Sequence, residues 1–174
     1  MNKIYASFVS LVILVAGLVV GTSYAQITVN LGNVSTCTPG TVVTVPITVT
    51  NFNNIGAVSL DMNYSSSALT YTGFNNSGLT GNLTVNRPVN GRVLVSWFSM
   101  TSSNIGNGLM MNLTFTANAS TAVNWNLAVA GQCELADGDG EVINNVAFNS
   151  GSVTVGGASI TTQPAGVLSL KRVS

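Results

Sequence analysis

The 174-residue chain predicts an all-β domain, a β-sandwich or jelly roll, after an export leader. Three observations carry that prediction. Apolar residues alternate with polar ones over many short runs, turn signals recur every eight to twelve residues, and no run after the leader has helical periodicity. The polar residues are mostly Asn, Thr, Ser and Gly, and charged residues are only 6% of the chain.

The leader comes first. Lys3 gives a basic start, Ile4 to Val20 is largely apolar, and Gly21 to Ala25 (GTSYA) ends in small residues suited to cleavage before Gln26. Residues 1–25 are therefore expected to be a signal peptide, and the membrane is met only in export. The mature chain is placed outside the cell or on its surface. Residues 26–155 are enough for one domain with a core. From Gly156, GGASITTQPAG reads as a linker, so residues 156–174 are a tail or the start of a further module.

Nine strands are expected. Ile27 to Val34 is the first, ended by Pro39-Gly40. The second, Thr41 to Thr50, contains Pro46, which lacks the N–H a ladder needs and so requires an edge, a bulge or a change of sheet. In the third, Ala57 to Tyr64, Val58, Leu60, Met62 and Tyr64 face the core and Ala57, Ser59, Asp61 and Asn63 face out. Leu69 to Phe74 is the fourth. Asn82 to Arg87 is the fifth, followed by Pro88 and the hairpin signal Asn90-Gly91. The sixth, Arg92 to Ser99, puts Val93, Val95 and Trp97 inside and Arg92, Leu94, Ser96 and Phe98 outside. Met100 to Gly108 reads as a polar loop. Leu109 to Ala117 is the seventh strand, and Val123 to Ala130 the eighth, with Val123, Trp125, Leu127 and Val129 on its core face. Ser152 to Val155 is the last.

Chemistry is sparse. The chain has no histidine to act as a base and no nucleophile elbow, and its acids do not flank a cleft, so catalysis is not expected. Without Lys3, four basic residues face five acidic ones, a net charge of about minus one, which argues against a nucleic-acid partner. Cys37 and Cys133 are expected to form a disulfide in an oxidising compartment, worth about 4–5 kcal/mol for so long a loop; the alternatives are two free thiols or a shared metal, the latter disfavoured by the absence of histidine and of a CxxC pair. Four acids fall in one turn, ELADGDGEVI. Asp137, Asp139 and Glu141 sit on alternate residues, a pattern that fits either a solvated Asp-Gly hairpin or a calcium site lacking its distal ligands; no other cofactor is implied. Asp61, Asn63, Arg92, Leu94, Ser96 and Phe98, with Thr84 and Asn86, make up a mixed patch suited to a protein partner.

The runs GTVVTVPITVTN, NIGAVSLDMNY, SSSALTYTGF, GRVLVSWF and GLMMNLTFTA, followed by DGDGEVI and GSVTV, resemble the cohesin domain of bacterial secreted polysaccharide-degrading systems. The resemblance covers Ile27 to Val155. It implies a nine-stranded jelly roll related to cellulose-binding modules. It also implies a calcium-loaded dockerin of an enzyme as partner, held on the face of strands 3, 5, 6 and 8. Where the family commonly has Tyr-Asp-Pro after the third strand, this chain has Tyr64-Ser65-Ser66, and Ala57 and Ser59 stand where family members often place Asn and Asp contacts. The expected function is a non-catalytic module that binds a protein. The rivals are a carbohydrate-binding module with a polysaccharide partner and a structural spacer in a surface adhesin.

Overall fold

The computed structural model describes residues 25–156. The expected signal peptide and the linker after Gly156 lie outside the described residues. Twelve strands follow one another: β1 (Ile27–Leu31), β2 (Asn33–Thr36), β3 (Thr41–Phe52), β4 (Ile55–Tyr64), β5 (Leu69–Asn76), β6 (Asn82–Asn86), β7 (Arg92–Ser103), β8 (Gly106–Ala117), β9 (Thr121–Trp125), β10 (Glu134–Asp137), β11 (Val146–Asn149) and β12 (Gly151–Val155). They form two sheets, one of order β11-β1-β3-β8-β5 and one of order β2-β12-β9-β4-β7-β6, with β10 also paired to β4.

The period-two runs do what their pattern requires. Val43, Val45, Ile47 and Val49 of β3, Val58, Leu60 and Met62 of β4, Val93, Val95 and Trp97 of β7, and Leu113 and Phe115 of β8 meet in one core. Trp97 donates its indole N–H to the Thr80 carbonyl at 3.2 Å, and Trp125 donates to Asn149 at 3.1 Å. Both buried rings thus have a partner for their one polar atom.

The strand count exceeds nine for definable reasons. The first run splits at Gly32, where the chain leaves one sheet for the other; β10 and β11 lie in residues 132–149, which were not read as strand, and the chain changes sheet again between β11 and β12. These two crossovers travel together, because β1 pairs β11 in parallel and β2 pairs β12 in parallel. Pro46 lies beside a register shift at Ile47/Thr48, and its carbonyl accepts from Gly32 where β1 turns away. The missing N–H of the proline thus faces the place where β1 leaves for the other sheet, one of the three devices it demands. Met100 to Gly108 is not a loop throughout: β7 continues to Ser103 and β8 begins at Gly106.

The eighth run stops early. β9 ends at Trp125, and Leu127 and Val129 are 61% and 51% exposed instead of buried. The reason is competition for one edge. β4 pairs β9 through Met62–Tyr64 and β10 through Ile55–Ser59. A β9 continued to Ala130 would occupy the place that β10 holds.

The disulfide does not form; Cys37 and Cys133 are free thiols. Cys37 follows β2, whose Thr36 pairs with Val155 beyond the Thr121 end of β9, whereas Cys133 lies beside Asn126 at its other end. β9 alone separates them by about 15 Å, far beyond disulfide reach.

Candidate protein-binding face

The outer face of the second sheet collects the predicted patch. Cross-strand registers align Asn63 with Arg92, Asp61 with Leu94 and Asn86, and Ser59 with Ser96 and Thr84. The next row is Ala57, Phe98 and Asn82, and β10 adds Glu134 beside Ser59. Thr84, Asn86, Arg92, Leu94, Ser96, Phe98 and Asn63 therefore share one surface of β4, β7 and β6, as alternation predicts. Phe98 is 53% exposed, and Met100, in the stretch of β7 that bulges between its pairings at Phe98 and Ser103, is 97% exposed. Met100 is the residue that the loop reading missed, and no alternation marks it, because the register shifts there.

Asp61 requires correction. It faces outward by parity but is wholly buried, at 0% exposure. The segment between β9 and β10 folds over it. Arg92 donates from Nε to Asp61 Oδ1 at 2.9 Å and from Nη2 to Oδ2 at 2.8 Å, and Asn126 Nδ2 donates to Oδ2 at 2.7 Å. Gln132 Oε1 accepts from Arg92 Nη2 at 3.0 Å and from Asn126 Nδ2 at 3.3 Å. A carboxylate out of water needs such company, and the fork of the guanidinium supplies the bidentate part. The hydrogen bonds that Arg92 donates to Asp61 raise the Arg92 pKa above its ordinary value. The Cys133 thiol lies 3.5 Å from the Asp61 carbonyl and 3.6 Å from that of Asn126, and burial pushes its pKa up. It is a packed, protonated group. Asn126, Gln132 and Cys133 were not legible as partners of Asp61, since no local pattern marks them.

The acidic hairpin is built as a turn. Asp137 Oδ1 accepts the backbone N–H groups of Asp139 and Glu141, both at 3.0 Å, and Gly140 takes φ +88°. The Asp137 side chain does the work of an Asx turn. Among the described residues no group of three His, Cys, Asp or Glu side chains is placed to hold a metal ion, so Asp137, Asp139 and Glu141 are not drawn together as ligands.

Known proteins fit this architecture. The cohesin-domain family model matches residues 27–155. Among solved structures, the chain is similar to the third cohesin of an Acetivibrio cellulolyticus protein, captured with a dockerin in a type I interaction. That match has 22% identity, covers 75% of this chain and 99% of the other, and has a TM-score of 0.67. A type I cohesin from Pseudobacteroides cellulosolvens shares 18% identity over 77% of this chain and 94% of its own, at TM-score 0.65. A non-cellulosomal cohesin from the archaeon Archaeoglobus fulgidus shares 20% identity over 75% and 91%, at TM-score 0.62. No curated protein matches the chain. With its two sheets, its paired crossovers and a family match spanning nearly all the described residues, this chain belongs to the cohesin-domain family.

Proposed function

We propose that this chain is an exported, non-catalytic binding module that takes a dockerin-type domain on the outer face of β10, β4, β7 and β6, and so places a dockerin-bearing protein outside the cell. One observation carries the reading. An otherwise polar sheet face leaves Phe98 and Met100 uncovered, with Ser96 and Thr84 in the next row and half-buried Leu94 beside Asn86 in the row beyond. Apolar anchors within a polar rim are what a protein partner desolvates. Family membership and the dockerin-bound relative support the choice of partner. A polysaccharide platform has less behind it. Among the described residues, Phe98 on β7 and Phe74 on β5 are the exposed phenylalanines, and they lie in different sheets; both tryptophans are buried.

The test is calorimetric titration of the purified chain against a panel of calcium-loaded dockerin domains. Binding by at least one member is expected, with Phe98→Ala weakening it by about tenfold or more, the usual scale for an aromatic anchor. A chain that binds none of them, or a variant that binds as tightly as the parent, would sink the proposal.

A further inference from the structure

The segment from Asn126 to Gln132 is an anomaly that the sheet face alone does not explain. It carries two large apolar side chains into solvent, Leu127 and Val129, although they continue the alternation of the buried Val123 and Trp125. It is also held firmly. The Asn126 N–H donates to the Asp61 carbonyl at 2.8 Å, Asn126 Nδ2 to the Asp61 carboxylate at 2.7 Å, and Ser59 Oγ to the Gln132 carbonyl at 3.4 Å. Within it, Gln132 N–H bonds back to Val129 O at 3.3 Å, and Gly131 takes φ +79°, so it closes as a tight turn.

We infer that this segment is a side wall of the docking face, that Leu127 and Val129 touch the bound partner, and that Asp61 is the positioning residue that holds the wall in place. The inference rests on the proposed dockerin partner and deepens it. Its anchors, Ser59, Asp61 and Arg92, all belong to the outward set of β4 and β7, so wall and face are continuous. The segment is tied to the face at Arg92, Asp61 and Ser59, and the outward positions between it and Phe98 are polar, at Ser96 and Thr84.

The experiment uses the full chain and a calcium-loaded dockerin from the panel that binds it. The double variant Leu127→Asn/Val129→Asn changes only exposed side chains, so it should melt as the parent does while losing about tenfold or more in affinity. Asp61→Ala should raise amide hydrogen exchange across 127–131 above any rise in β7, and weaken binding too. Parent-like affinity in Leu127→Asn/Val129→Asn overturns the wall even though the dockerin reading stands. Parent-like exchange in Asp61→Ala removes the positioning role. If the parent chain binds no dockerin, the proposed function falls and takes this inference with it.

Discussion

Asp61 is the residue on which the outer face turns. Its carboxylate has no access to water and is satisfied by three N–H donors, two from Arg92 and one from Asn126. Removing one member of a buried pair strands the other, whereas removing both can be nearly neutral. Arg92→Ala is therefore expected to lower the urea midpoint more than the double replacement Asp61→Leu/Arg92→Leu, measured side by side. Equal losses would show that the pair does not act as a unit. Alternation alone assigned Asp61 to the outward set, and that much was correct. What alternation could not show is that a segment some 65 positions later would roof it over. Phe98 was legible for the opposite reason, because it stands exposed where alternation puts it.

Among elements, the joined crossovers are the most sensitive. Both terminal strands change sheet at one level, and the backbone of Gly151 there lies against the carbonyls of Gly32 and Leu31. A Cβ at Gly151 would sit 2.6 Å from the Leu31 carbonyl oxygen and closer still to that of Gly32, both of them backbone atoms that cannot swing aside. Gly151→Ala is expected to cost about 1–3 kcal/mol, the scale of overpacking, with a matching fall in melting temperature. A variant as stable as the parent would mean that the crossovers can separate. Strands with one core face and one outward face, β4 and β7 above all, were readable from their period. The β9–β10 region was not, because its course depends on which segment takes the open edge of β4. Leu127 and Val129 continue the alternation of Val123 and Trp125, so their pattern favours a strand that the sheet has no room for.

At the scale of the molecule, stability comes from two sheets closing on one core with no covalent bridge. Cys37 is exposed and Cys133 is packed beside β4, its thiol pushed above the ordinary range by burial. Alkylation of the native protein at pH 8 should label Cys37 at once and Cys133 much more slowly, and a reducing agent should leave the melting temperature unchanged. A melting point that drops under reduction would restore the bridge. Burial raises the folded-state pKa of Cys133, so its contribution is whole below the ordinary thiol pKa of about 9 and declines as the medium grows more alkaline. Spacing between two cysteines in a sequence says nothing of which end of a sheet each will reach, and the expectation of a bridge failed there. The sandwich itself was legible, since it needs only the local alternation that most of these strands carry.

The parallel pairing of β1 with β11 and of β2 with β12 has a mechanical consequence. Ile27 lies at one end of the sandwich and Val155 at the opposite one, so tension applied between them pulls the first and last strands past each other lengthwise. Every rung of those two ladders then bears the load together, and rupture requires many to break at once. Peeling from a free edge would break them singly. A domain strung this way resists being stretched out, which is useful to any tether that must hold its cargo in moving fluid.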